Sequence, residues 1–272
     1  MILTLAGLGA AGLATYAAAV EPRLLRLRRP AVRLAGWRRP PLRIGVLSDI
    51  HAALPHMPPA RVGRIVRRLL AERPDLVLLP GDFVTTRSRF VRRLPIEPVA
   101  AALAPLAGSA PTLAVLGNHD WHYGTGRITR ALEGVGITVL ANAAHRVLLR
   151  GGPLWIAGLD DMFTGRDDLG RTLAALDRSA PALMLSHVPD VFPRLPPEIR
   201  LTVAGHTHGG QVRVPGWGPL RTMSALPRPM ARGLHERDGR HLYVSAGVGT
   251  TNLPIRFACP PEIALLTLSG EP

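Results

Sequence analysis

The chain is poor in cysteine, lysine, aromatic residues and acid. Cys259 is the one cysteine among 272 residues, which excludes an intrachain disulfide and a cysteine-built zinc site and leaves the role of a small buried hydrophobe. Lysine is absent, so all 33 basic residues are arginine, and against 19 acids they leave a net charge of +14. Aromatic residues make up 4% of the chain, and only Trp37 lies near the densest arginine run, where a single-strand nucleic-acid binder needs stacking platforms. Internal repeats and low-complexity tracts are missing too, although glycine and proline number 28 and 27. A chain of this length can bury a sizeable core and is expected to form one α/β domain with a short appendage.

Charge is also missing from Met1 to Val20, an apolar stretch that would span about 30 Å as a helix, the thickness of a bilayer core. Arginine then crowds in: Arg23, Arg26, Arg28, Arg29, Arg33, Arg38, Arg39 and Arg43 fall within 21 residues, and Glu21 is the only acid before Asp49. Such a cluster favours phosphate groups, in nucleic acid or at an anionic membrane. The adjoining apolar span favours the membrane. The expected organisation is an N-terminal apolar helix over residues 1–20, a basic juxtamembrane linker over 21–41 and a catalytic domain over 42–272. A cleavable signal peptide would carry positive charge before its apolar run, and here all of it follows, so an uncleaved anchor with the domain on the cytoplasmic face of the inner membrane is expected. Export after cleavage at Ala17-Ala18-Ala19 is the alternative. No nucleic-acid partner is expected.

Downstream, short apolar runs repeatedly end in compact polar clusters. Leu42 to Ser48 leads into Asp49-Ile50-His51, Leu76 to Leu79 into Gly81-Asp82, and Thr112 to Leu116 into Gly117-Asn118-His119-Asp120. Ala182 to Ser186 ends at His187, and Leu201 to Ala204 leads into Gly205-His206-Thr207-His208. Runs of this kind read as buried strands, and open α/β sheets place their sites at the carboxyl ends of strands. Residues two apart on a strand point to one side, so His206 and His208 could reach one point; two surface loop histidines are the plain alternative. Between the strands, a stretch opened by Pro58-Pro59 with Val62, Ile65, Val66, Leu69 and Leu70 at helical spacing, Glu97 to Leu106 and a stretch around Asp168 to Ser179 read as helices, and a loop after Asp82 holds Arg87, Phe90 and Arg92-Arg93. The default for Asp160-Asp161 is a solvated loop pair. About nine strands emerge, more than the usual ~5–6 of one doubly wound sheet, and two stacked sheets flanked by helices would hold them.

Asp49, His51, Asp82, Asn118, His187, His206 and His208 together exceed the donors one transition-metal ion takes, which points to two ions. Mixed carboxylates and imidazoles suit transition metals, with Mn²⁺ the first candidate and Fe or Zn²⁺ the alternatives. In a two-metal site a carboxylate such as Asp82 can bridge, and a shared water is acidified into a hydroxide nucleophile.

The ordered set Asp49-Ile50-His51, Gly81-Asp82, Gly117-Asn118-His119-Asp120, His187 and Gly205-His206-Thr207-His208 resembles the signature of the calcineurin-like metallophosphoesterases, over roughly Leu42 to Leu268. The resemblance implies a four-layer α/β/β/α sandwich and hydrolysis of a phosphodiester or pyrophosphate bond. It places Asp49, His51 and His208 on one ion, Asn118, His187 and His206 on the other, and Asp82 between them. His119 is left facing the phosphoester substrate as the residue that stabilises developing charge and protonates the leaving oxygen, with Asp120 orienting its imidazole. Of the other histidines, only His122 lies near the signature. The apolar start with Glu21-Pro22, Gly158 to Asp161, Gly209-Gly210-Gln211 and Cys259 to Ile263 resemble a bacterial membrane-associated phosphohydrolase branch, itself similar to enzymes that cleave the pyrophosphate of UDP-2,3-diacylglucosamine, so a lipid-linked substrate is the finer expectation. Thr85 and Ala246 depart from the pattern, where many relatives carry Asp and Arg. Soluble nucleotides or other phosphoesters are the alternative substrates, and a catalytically silent scaffold the alternative class.

Overall fold

The computed structural model describes residues 9, 11–86, 90–177 and 179–270. Arg87 and most of the first ten residues therefore lie outside the described residues. Two sheets form the centre. The first takes β1 (Arg26–Arg28), β2 (Ala31–Leu34), β3 (Leu42–Val46), β5 (Leu76–Leu79), β7 (Thr112–Ala114), β8 (Thr138–Val139) and β17 (Glu262–Gly270), in the order β1-β17-β3-β5-β7-β8 with β2 also on β17. The second takes β9 (Ala143–Leu149), β10 (Gly152–Gly158), β11 (Ala182–Leu185), β12 (Leu201–Ala204), β15 (Gly233–Arg237) and β16 (Arg240–Val244), in the order β15-β16-β12-β11-β10-β9. Two small ribbons sit outside them: β4 (Ala53–Leu54) with β6 (Arg92–Arg93), and β13 (Arg213–Val214) with β14 (Gly218–Pro219).

The layers follow from which faces are apolar. Ile44, Val46, Leu76, Leu78 and Leu113 of the first sheet meet Leu154, Ile156, Leu183, Leu185, Leu201 and Val203 of the second in one buried cluster, the filling of the sandwich. Central strands covered on both faces read as unbroken apolar runs, as Leu76–Leu79 and Leu201–Ala204 do. The outer face of the first sheet packs on the helices Pro59–Leu70, Glu97–Ala107 and Thr125–Glu133. Pro59–Leu70 presents Val62, Ile65, Val66 and Leu69 to that face and turns arginines outward. Val191, Phe192, Leu195 and Ile199 cover the outer face of the second sheet, completing the α/β/β/α order.

The expected helix over residues 1–20 lies outside the described residues for 1–8 and 10, and the described part does not read as a membrane span. Among the described residues no helix is long and apolar enough to cross a membrane. From residue 11 the chain is helical, loosens to a π turn at Tyr16–Val20 and ends in a 3₁₀ turn at Glu21–Arg23. Its end packs on the domain: Ala17 is buried and its carbonyl accepts from the Arg256 N–H, and the buried Glu21 carboxylate accepts from the N–H groups of Ala258 and Cys259. The stretch 21–41, expected as a linker, supplies two strands of the first sheet. β1 and β2 run parallel to β17, with Leu27 opposite Ile263 and Val32 opposite Leu268. Alternation of Leu27, Val32 and Leu34 with arginine puts the apolar side chains inward, with Val32 and Leu34 buried and the arginines outside.

Candidate metal centre

β3, β5 and β7 of the first sheet and β11 and β12 of the second are parallel within their sheets, and their carboxyl ends meet at one edge of the sandwich. The loops leaving them stay hydrogen-bonded to one another: Asp49 N–H to the Gly81 carbonyl (3.0 Å), His51 N–H to the Asp82 carbonyl (3.0 Å), Gly205 N–H to the His187 carbonyl (3.0 Å). Asp49, His51, Asp82, His206 and His208 all take positive φ, between 45° and 69°. Such backbone is costly for residues with a Cβ and persists where the surroundings enforce it, as at functional sites. The His-x-His pair therefore does not sit on a strand. β12 ends at Ala204, and the left-handed turns at His206 and His208 send the two imidazoles apart. Crowding fixes the turns: a Cβ on Gly205 would stand 2.1 Å from Ser48 Oγ and 2.4 Å from Asp49 Oδ2, and one on Gly117 2.3 Å from Asp82 Oδ1.

All seven expected ligands are brought together, and each is buried. His208 Nε2 lies 3.0 Å from His51 Nε2 and 3.6 Å from Asp49 Oδ1. His206 Nδ1 lies 3.2 Å from Asn118 Oδ1 and 3.2 Å from His187 Nε2. Asp82 Oδ2 stands between the groups, 3.3 Å from His51 Nε2 and 3.3 Å from His187 Nε2. Asp49, His51 and His208 offer ligand atoms within 4.8 Å of one another, as do Asp49, Asp82 and His187, and His51, Asp82 and His119.

The donor set fits divalent transition metals, because two carbonyl groups orient the imidazoles. The Pro80 carbonyl takes the proton of His187 Nδ1 (2.7 Å) and the Met223 carbonyl that of His206 Nε2 (3.0 Å), which turns His187 Nε2 and His206 Nδ1 toward the cluster as the nitrogens that would bind an ion. Electrostatics follow from burial and the close carboxylates. Burial opposes charge on His187, but Asp82 beside it carries it up to about 10. Burial raises Asp49 above the usual carboxylate range, and burial with the nearby His187 charge brings His206 down to about 4.

His119 lies beside the seven, half-buried, its ring 4.5 Å from that of His51. Its Nδ1 accepts from the Thr86 N–H (3.2 Å), so its proton sits on Nε2, 3.3 Å from Thr251 Oγ1. Burial and His51 lower it to about 3. The expected pairing of Asp120 with this imidazole is not what the structure shows. The Asp120 carboxylate accepts from four backbone N–H groups, those of Asp82 (2.8 Å), Gly117 (3.0 Å), Phe83 (2.9 Å) and Val84 (3.3 Å), and so clamps the Asp82 loop to the Gly117 loop. Burial and then Asp82 raise it to about 7, against the pull of those donors.

Among the neighbours, Arg256 carries no sequence signal. Arg256 is fully buried, and its guanidinium donates to the carbonyls of Ala246 (2.8 Å), Gly247 (3.2 Å), Gly249 (2.6 Å) and Cys259 (3.0 Å), fixing the loop that presents Thr251. Ala246, whose carbonyl accepts from Arg256, is itself buried and packs near Gly209. Asp160 and Asp161 are buried rather than solvated: Asp160 accepts from Trp121 Nε1 (2.9 Å), and Asp161 from the Thr164 N–H (2.9 Å). Burial raises Asp161, and His187 is among the charges that act on it. His122 is exposed and bonds the Asn118 carbonyl of its own helix.

The calcineurin-like phosphoesterase family model matches residues 42–210, which hold every one of these candidate ligands. The chain belongs to the calcineurin-like phosphoesterase family. Among its relatives, phosphodiesterase YaeI of Escherichia coli is 32% identical over 252 residues, 91% of this chain and 90% of that one. The uncharacterized metallophosphoesterase YkuE of Bacillus subtilis is 31% identical over 209 residues, 76% of this chain and 72% of that one. Among solved structures, the NAD nucleotidase NadN of Haemophilus influenzae superposes with a TM-score of 0.51 at 17% identity, and a 5'-nucleotidase precursor of Thermus thermophilus with 0.50 at 16%. This chain covers 45% and 55% of those two proteins and shares their fold. As a calcineurin-like phosphoesterase it is a phosphoester hydrolase with a candidate metal site.

Proposed function

We propose that this phosphoesterase hydrolyses a phosphodiester or pyrophosphate bond with two divalent transition-metal ions, Mn²⁺ first among them. The observation that carries the reading is Asp82, whose single oxygen Oδ2 lies 3.3 Å from His51 on one side and 3.3 Å from His187 on the other. Asp49, His51 and His208 would hold one ion and Asn118, His187 and His206 the other. When bound, such ions polarise phosphoryl oxygens and lower the pKa of water to supply a nucleophile. The chain's own part is positional. Asp49 accepts from the His206 N–H (3.0 Å) and Asp82 Oδ1 from the His119 N–H (2.9 Å), so the loops that carry the ligands brace one another. His119, kept neutral by burial, offers its Nε2 proton to the charge that develops on the phosphoryl or leaving oxygen.

A diester is favoured by the name of the YaeI relative, which covers nearly the whole chain. A lipid-bearing diester is the finer reading. It is supported by exposed Phe163, whose ring lies 5.1 Å from that of His206, and by exposed Met223 and Leu253 on loops that border His206 and Thr251. Exposed Leu13, Tyr16, Val20 and Leu24, beside Arg23 and Arg26, support placing this protein at a membrane surface. A panel of monoesters, soluble diesters and UDP-2,3-diacylglucosamine, run with Mn²⁺ on wild type and His119→Ala, tests the proposal. Turnover of a diester by wild type that the variant loses supports it. Failure to turn over any phosphoester, or equal rates in the two proteins, overturns it.

A further inference from the structure

The β13–β14 ribbon and the 3₁₀ turn Arg228–Ala231 border an open cavity of about 460 Å³. Arg213, Arg228 and Arg232 line it, together with Val214, Trp217 and Ala258. Among the described residues none of these three arginines forms an ion pair, whereas Arg28 and Arg29 on the neighbouring surface are matched by Glu262 and Glu72. Each of the three is instead held by a neutral group. Arg213 Nη1 donates to the Gly209 carbonyl (2.8 Å), Arg232 Nη1 reaches the Ala258 carbonyl (3.4 Å), and the Arg228 guanidinium lies 4.6 Å over the Trp217 ring. Burial lowers Arg213, and the adjacent Arg232 charge lowers it further, the mark of like charges held together without a counter-ion.

Holding cations in one cavity costs free energy that an anion would return. Guanidinium forks match phosphate oxygens in pairs, and an exposed indole offers a flat apolar face to whatever adjoins the phosphate. Trp217 is 59% exposed, with Arg228 over its ring. We propose that this cavity is a second ligand site, which binds a phosphate-bearing anion between Arg213, Arg228 and Arg232 with Trp217 against its non-phosphate part. Arg213 ties the site to the carbonyl of Gly209, the residue after His208, so ligand and metal loop share one anchor. The inference stands apart from the hydrolase reading, since none of its residues is a candidate metal ligand.

Two phosphate sources share this chemistry, a soluble phosphorylated compound and an anionic phospholipid headgroup. Isothermal titration of the chelator-treated full chain with methylenediphosphonate, which cannot be hydrolysed, tests the first. Sedimentation with phosphatidylglycerol vesicles against pure phosphatidylcholine vesicles tests the second. Arg228→Gln and Arg232→Gln are each expected to weaken binding about tenfold, as loss of a charged hydrogen-bond partner does, while His119→Ala binds as wild type does. Arg228 is exposed, so its variant is expected to fold, and circular dichroism on both variants checks this. Saturable diphosphonate binding lost in both variants supports the site with a soluble ligand. Binding to phosphatidylglycerol vesicles alone, lost in both variants, supports it with a headgroup. No binding of either probe by wild type, or binding by folded variants equal to wild type, overturns the proposal.

Discussion

Replacing Asp120 with asparagine separates two roles for that residue. If it clamps loops, the damage is structural; if it charges the His119 imidazole, the damage is catalytic. The carboxylate accepts from four buried N–H groups, two on each oxygen. An asparagine amide keeps one oxygen and turns an NH₂ toward the other pair, so two buried donors lose their acceptor. At about 1–2 kcal/mol for each donor left unsatisfied, the variant should lose about 2–4 kcal/mol of stability. The assay is urea unfolding of wild type and Asp120→Asn on the acid side of Asp120's value of about 7, where both side chains are neutral; above it the substitution also relieves a charge that burial and Asp82 disfavour, which offsets the loss. The urea midpoint should fall with an unchanged slope. Once metal-loaded, the variant should keep the wild-type shape of its pH–rate profile, because the Asp120 carboxylate is spent on backbone N–H groups and His119 Nδ1 faces Thr86 instead. Wild-type stability combined with a displaced acidic limb of that profile would refute the clamp and restore the role suggested by the motif.

Other outcomes follow from the same contacts. Arg256→Leu removes the donor to four loop carbonyls and should cost about 3–5 kcal/mol in chemical denaturation, with loss of turnover as the Thr251 loop loosens. Metal loading should release protons. His187 is carried up to about 10 by Asp82 in the metal-free protein, so it is protonated at neutral pH, must lose that proton to bind, and metal affinity should fall as pH drops; calorimetry in buffers of different ionisation enthalpy reads the release. Glu21→Ala should cost about 2–3 kcal/mol through the freed N–H groups of Ala258 and Cys259, measured by thermal unfolding. Gly205→Ala, which drives a Cβ into Ser48 and Asp49, should abolish metal uptake measured by elemental analysis.

What the sequence discloses here depends on how local the determining contacts are. Leu76–Leu79 and Leu201–Ala204 are legible because a central strand covered on both faces must be apolar throughout, and the polar residues after them because ligands need donors. Pro59–Leu70 is legible from its apolar period. Arg26–Arg28 and Ala31–Leu34 are not, since their partner strand lies more than 200 residues downstream and arginine-rich alternation reads equally as a membrane collar. The site shows the same division. The seven ligand types stand in the motifs, but the left-handed backbone that sends His206 and His208 to different neighbours is imposed by packing around Gly205. Arg256 is one arginine among 33, and only its burial sets it apart. Asp120 sits next to His119 in sequence, yet a helical turn directs it at Gly117 and the Asp82 loop instead.

The most direct test of a dinuclear phosphoesterase is a crystal of the Mn²⁺-loaded protein measured at the manganese absorption edge. Two anomalous peaks are predicted, one against Asp49, His51 and His208 and the other against Asn118, His187 and His206, with the Asp82 carboxylate between them. A single peak, or peaks that leave Asp82 untouched, would contradict the account.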